Sequence, residues 1–171
     1  MPGSGCSRSS STTPASGSAL GVSLIELATF IAAPPERCFD LSLSVDVHLI
    51  STPRTGERVV AGPRSGLLGL GDVITWEARH FGVRRRLTVK ITAVDRPHSF
   101  RDEQVTGPFR RMRHDHRFEP REGGTLMRDE FDVALIPVFD RLILRPHLRR
   151  FLEKRNEAIR RAAESDSRYL E

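Results

Sequence analysis

The sequence predicts an α+β domain, an antiparallel sheet of about seven strands closed by one long C-terminal helix. Two observations carry this. From Arg58 to Leu135 apolar and polar residues alternate in short runs separated by turn-formers, the period of half-buried strands. From Pro137 to Glu164 the period becomes three and four, so that Leu144, Leu148, Phe151 or Leu152, Arg155, Ile159 and Ala162 share one stripe. Arg149, Arg150, Glu153, Lys154, Glu157, Arg160 and Arg161 occupy the opposite face, which suits water. A lone amphipathic helix in a strand-rich chain has only the sheet to cover its stripe. Pro137 suits a first helical turn. Pro146, inside the run, predicts either a kink or a short leading turn divided from a longer rod.

The elements follow in order. Residues 1–19 are mostly Gly, Ser, Thr and Pro and are expected to form a disordered tail. The domain spans 20–165, with 166–171 as a second tail. Gly21 to Ala32 is an apolar, β-branched run and reads as the first strand, stopped by Pro34-Pro35. PERCFDLSL reads as a short helix with Cys38, Phe39 and Leu41 to Leu43 facing inwards, and Asp46 to Leu49 as a second one. Further strands are expected at Glu57–Gly62, Asp72–Phe81, Val83–Asp95, Ser99–Thr106, Met112–Glu119 and Thr125–Leu135. Their separators (Gly69-Leu70-Gly71, Phe81-Gly82, Arg96-Pro97, Gly107-Pro108 and Glu122-Gly123-Gly124) are short, which makes consecutive strands antiparallel neighbours.

The chain has 171 residues, enough for one domain with a core. Two cysteines argue against a disulfide scaffold and against a zinc site. No apolar run reaches the ~18 residues of a spanning helix, and the start lacks a secretory pattern, so a cytoplasmic protein is expected. The net charge is +5, carried by arginine, since only Lys90 and Lys154 are lysines. Such a balance favours acidic ligands, anionic surfaces or nucleic acid. The groups Arg84-Arg85-Arg86 and Arg110-Arg111-Arg113 sit beside hairpin ends and can form a basic rim. No aromatic residues interleave with them and no nucleic-acid module is present, so nucleic acid is not expected. Peripheral contact with an anionic head group or surface fits equally well. Gly66, Gly69 and Gly71 make no phosphate loop, because no Lys-Ser/Thr follows.

Alternation assigns the faces. Ile74, Trp76, Ala78 and His80 share one side; Leu87, Val89, Ile91 and Ala93 share another strand's inner side. Met112, His114, His116 and Phe118 go together, as do Met127, Asp129, Phe131, Val133 and Leu135. The opposite faces are charged and are expected to be solvated.

The segments SGLLGLGDVITWEARHFGVRRRLTVKI, RPHSFRDEQVTGPFRRMRHDHRFEP and GGTLMRDEF, with their phrases G-D-x-x-T-W, F-x-D-x-Q-x-x-G-P-F and H-x-H-x-F, resemble the START-like (SRPBCC) superfamily. They look most like its bacterial cyclase/dehydrase-like members, over Val22 to Arg161. The resemblance implies a helix-grip fold, in which a curved sheet and the long helix enclose a cavity for a small hydrophobic or amphipathic ligand. Its expected apolar wall is Trp76, Leu87, Phe100, Met112, Phe118, Met127 and Phe131, with Leu148 from the helix. The polar exceptions are His80, Asp102, Gln104, His114, His116 and Asp129.

Pairing through a Glu119–Gly124 turn puts Phe118 near Thr125, His116 opposite Met127 and His114 opposite Asp129. A His114–Asp129 pair in a cavity is a candidate general acid/base, with the carboxylate raising the imidazole pKa. A buried pair that merely satisfies itself, or histidines that bind a ligand carbonyl, is the alternative. His80, His114, His116 and Asp129 have metal-ligand chemistry, but nothing in the sequence brings His80 to the others, and no metal or cofactor is assigned. Three functions follow: ligand binding first, a polyketide aromatase/cyclase-type enzyme second, and a regulatory protein acting through its basic surface third.

Overall fold

The computed structural model describes residues 22–53, 55–80, 82–134 and 144–165. The expected tails and the Pro137 helix start lie outside them. β1 (Val22–Ile31) leads into α1 (Pro35–Leu43) and α2 (Val45–Ser51). Pro35 occupies the first turn of α1, where its missing N–H costs nothing. Ser44 ends α1 and caps α2, its hydroxyl accepting from Val47 N at 3.3 Å. The meander comprises β2 (Arg58–Ala61), β3 (Val73–His80), β4 (Val83–Asp95), β5 (Ser99–Thr106), β6 (Arg111–Arg121) and β7 (Gly124–Ala134). α3 (Arg145–Glu164) follows.

One seven-stranded antiparallel sheet runs in the order β1-β7-β6-β5-β4-β3-β2. β1 therefore crosses to the far edge and pairs with β7 along its whole length. α3 lies against β1, α1 and α2, with Leu148, Leu152, Arg155, Asn156, Ile159 and Ala163 buried. Pro146 falls within the first turn of α3 and does not kink the rod; the leading turn expected before it lies outside the described residues. Side chains of α3 also hook the free edge of β1. Arg145 and Arg149 donate to the carbonyls of Leu24 and Glu26 at 3.2 and 3.4 Å, and Glu164 accepts from Ala32 N at 3.1 Å.

The expected inward residues of α1 are buried, and Phe39 packs edge-on against Phe100 and Phe118 with centroids 5.6 and 5.5 Å away. Side chains of this size contribute about 1.5–3 kcal/mol each when removed from water. Ala93 departs from its assigned face and is exposed, because the β4–β5 register shifts between Ile91 and Ala93.

The β6–β7 register also differs from expectation. Arg121 pairs with Gly124, leaving Glu122 and Gly123 as a two-residue turn, with Gly123 at φ 76°. Phe118 therefore opposes Met127, His116 opposes Asp129 and His114 opposes Phe131. The displacement is two residues, an even number, so every side chain keeps its face.

The outer face is less solvated than expected. Glu77 is only 7% exposed, held by Arg58 and Arg86 at 2.6 and 2.9 Å with Arg84 at 3.8 Å. Asp115 is likewise buried between Arg101 and Arg113 at 2.6 and 2.9 Å. Arg84 and Arg86 of the first basic run are thus taken up by a cross-strand carboxylate, and Arg113 of the second by a carboxylate on its own strand.

Candidate functional site

Two places have chemistry to offer, one inside the sheet and one outside α3. Inside, β6 sends His114 and His116 to the same face, two residues apart, with centroids 3.8 Å from each other. β7 contributes Asp129 on one side of the two rings and β5 contributes Asp102 on the other. His114 Nε2 lies 3.1 Å from Asp129 Oδ1, and His116 Nδ1 lies 2.8 Å from the same oxygen. The opposite ring nitrogens face Asp102 Oδ1: His116 Nε2 at 3.3 Å and His114 Nδ1 at 3.8 Å. The other oxygen of Asp129 accepts from Asn156 Nδ2 of α3 at 2.6 Å. Arg155 Nη1 stands 3.8 Å from Asp129 Oδ1, while Nη2 donates to the Ser42 carbonyl at 3.0 Å.

His114 and Asp129 thus meet as the sequence reading required, although diagonally rather than across the ladder. Burial works against the charged form of Asp129, yet bonds from His114 and His116 outweigh it and hold its pKa well below the usual carboxylate range. Asp102 is also lowered: burial opposes ionisation, but the bond from His116 and the nearby His114 and Arg155 favour it. The expected rise at the imidazole does not occur for His114. Burial, then the neighbouring His116, push its pKa down to about 4 despite both carboxylates. At neutral pH the ring is uncharged, and His114 is only 5% exposed.

The remaining residues divide by role. Phe100, Met112, Phe118, Met127, Phe131 and Leu148 join one buried cluster, with Trp76 in it and Leu87 packed at its side. Trp76 stacks on His48 of α2 at 4.1 Å, a partner the sequence did not signal. Gln104 is engaged by the backbone: its amide donates to the Phe109 carbonyl at 2.8 Å and accepts from Phe109 N at 3.4 Å, bracing the β5–β6 turn. The side chain of His80 lies outside the described residues.

Outside, a groove of about 1090 Å³ runs between α2 and α3. Val47, Ile50, Phe151, Ala158 and Ala162 give it an apolar floor; Arg79, Arg150 and Lys154 line it with positive charge, while Arg161 is paired with the lining Glu157 at 2.7 Å. Ile50 is 63% exposed there. Among the described residues no carboxylate pairs with Arg150 or Lys154. The sequence missed this groove, since its residues come from three distant segments, α2 with the loop after it, Arg79 of β3, and α3, and read singly as surface.

A seven-stranded sheet gripping a C-terminal helix, with two short helices after its first strand, defines a helix-grip protein of the START-like superfamily. The sequence profile of the family described as polyketide cyclase / dehydrase and lipid transport matches residues 25–164, and the chain belongs to that family. Among solved structures it is similar to the Zhui aromatase/cyclase from Streptomyces sp. R1128, at TM-score 0.69 and 18% identity, covering 87% of this chain and 98% of that one. It is also similar to the protein TTHA0849 from Thermus thermophilus, at TM-score 0.64 and 22% identity over 84% and 100%. The major latex-like protein 151 of Panax ginseng gives TM-score 0.64 and 16% identity over 84% and 99%. At these identities the likeness is one of fold. No curated protein matches the chain.

Proposed function

We propose that this protein binds a small amphipathic molecule with an acidic head group, in the groove between α2 and α3. The observation that carries this reading is the groove itself, an apolar floor beside Arg150 and Lys154, which pair with no carboxylate among the described residues. Its volume is at the upper end of the ~300–1,000 Å³ usual for small-molecule sites. An acyl or polycyclic body would cover Ile50, Phe151 and Ala158, while a carboxylate or phosphate would meet Arg150 and Lys154. Burying the exposed Ile50 against such a body supplies affinity, and the two cations supply orientation. The family's description, which includes lipid transport, supports a ligand of this kind.

Binding has more support than acid/base turnover. A general acid/base works best with a pKa near the working pH, and His114 titrates at about 4 behind a nearly closed wall. The wall residues named from the sequence pack against one another, and none of them lines the groove.

The test compares a dansyl-labelled fatty acid with the matching labelled alcohol. The native protein should bind the acid saturably. Arg150→Glu with Lys154→Glu should weaken the acid roughly tenfold or more, about 1.4 kcal/mol, and leave the alcohol nearly unchanged. Ala158→Trp should fill the floor and weaken both. Charge reversal without effect on the acid, or no saturable binding at all, would sink the proposal.

A further inference from the structure

The cluster on β5, β6 and β7 has more order than a self-satisfying polar core requires. We propose that Asp102, His114 and His116 form a site for one divalent transition-metal ion of the zinc type, with Asp129 as the outer carboxylate that orients both imidazoles.

The donor atoms converge. One atom from each of the three residues can be chosen so that all lie within 4.8 Å of one another. Asp102 Oδ1 is 3.3 Å from His116 Nε2 and 3.8 Å from His114 Nδ1. A tetrahedral ion with bonds of about 2.0–2.1 Å sets its ligand atoms about 3.3–3.5 Å apart; the Asp102–His116 separation already matches this and the Asp102–His114 separation is a few tenths of an ångström longer. Two imidazoles and one carboxylate suit zinc and its first-row neighbours, while calcium and magnesium prefer oxygen donors alone.

The back of the site is built as metal sites require. A ligating histidine usually gives its other ring nitrogen to a carboxylate, which fixes the tautomer and the ring plane. Here both far nitrogens, His114 Nε2 and His116 Nδ1, face the same oxygen of Asp129, at 3.1 and 2.8 Å. With N–H on those atoms, His114 Nδ1 and His116 Nε2 present lone pairs towards Asp102. Asp129 is itself fixed by Asn156 at 2.6 Å. Phe100 stacks on His116 at 4.1 Å and Phe131 meets His114 edge-on at 5.1 Å, so neither ring is free to turn away.

Asp102 is the most exposed of the three ligands, its side chain 16% accessible against 7% and 1% for the histidines. The ion's fourth position would open beside it, to water or to an oxygen of a bound molecule.

The test uses untagged full-length protein, stripped with a chelator and titrated with Zn²⁺, with Co²⁺ as a visible probe. One equivalent should bind per chain, and Co²⁺ should show the intense bands of low coordination. Asp102→Asn, nearly isosteric and at the accessible edge, should remove tight binding while keeping the wild-type circular dichroism. Asp129→Asn should keep the stoichiometry and weaken the affinity about 10–100-fold. His98→Gln, an exposed histidine elsewhere, should change nothing. Nitrogen-15 spectra of the unmutated protein add a readout that needs no variant: Zn²⁺ should move His114 Nδ1 and His116 Nε2 selectively. Sub-stoichiometric uptake, equal affinity in folded Asp102→Asn, or shifts confined to other histidines would overturn the proposal.

Discussion

Arg155 and Asn156 stand next to each other on α3 and serve Asp129 differently. Asn156 gives the carboxylate a short charge-assisted hydrogen bond, and Arg155 places a cation nearby while tying α3 to the end of α1. Arg155→Met should therefore cost about 3–5 kcal/mol in urea unfolding, because the buried Asp129 carboxylate loses a nearby counter-charge. Asn156→Ala should cost about 1.5–3 kcal/mol, the worth of a hydrogen bond to a charged partner. An Arg155→Met protein as stable as the native one would show that the guanidinium contributes packing only. The members of this cluster on β6 and β7 were legible from alternation, because His114, His116 and Asp129 fall on inward positions, and Asp102 joined them through the cavity that the family resemblance implied. Asn156 was not. An asparagine beside an arginine in a helix reads as surface, and only the position of Asp129 gives it a reason to be buried. Glu77 was misread for the converse reason: its outward position was clear, but three arginines shielding it were not.

The stripe on α3 was readable because burial repeats there at every third or fourth residue. Leu148→Asp should cost more than about 3 kcal/mol by combining a lost apolar contact with a buried charge. Arg149→Ala, one position on, should stay within about 1 kcal/mol. Equal losses would mean that the two faces are interchanged. The exposed face of the same helix gives a pH effect. Glu157 accepts from Arg160 and Arg161, and its pKa falls from 4.5 to about 2. A carboxyl lowered on folding stabilises above its unfolded pKa and loses that contribution as pH falls through its folded one. Glu157→Gln should thus melt below the native protein at pH 7, with the gap closing as pH drops from about 4.5 towards 2. A gap that persists at low pH would assign the effect to packing. Strand existence was equally legible, but register was not. A six-residue loop and a two-residue turn both fit Glu119 to Gly124, and the choice moved His114 from Asp129 to Phe131 across the ladder. Gly124 also sits tight against β1, where a Cβ would run into the Ile31 carbonyl. Gly124→Ala should lower the melting temperature strongly through the β1–β7 junction.

The two sites use different faces of α3, the groove through residues such as Phe151 and Ala158 and the buried cluster through Arg155 and Asn156. Fold class, element order and inward residues emerged from local periodicity, because each depends on neighbours in the chain. The groove depends on α2 meeting α3 across about a hundred residues, which no local pattern records. The far edge of the sheet has another consequence. β1 is a ten-residue edge strand bearing exposed Leu24 and Phe30, the type of surface on which another chain can add a strand. Arg145 and Arg149 already occupy the Leu24 and Glu26 carbonyls, and Glu164 occupies the Ala32 amide. At the opposite edge β2 has only four residues and an irregular register. Colloidal behaviour is therefore separable from thermal stability. Arg145→Ala with Arg149→Ala should leave the melting midpoint almost unmoved, yet shorten the lag before light scattering rises in concentrated, warmed solution. An unchanged lag would mean that bulk charge, rather than these occupied hydrogen-bond positions, keeps the chains apart.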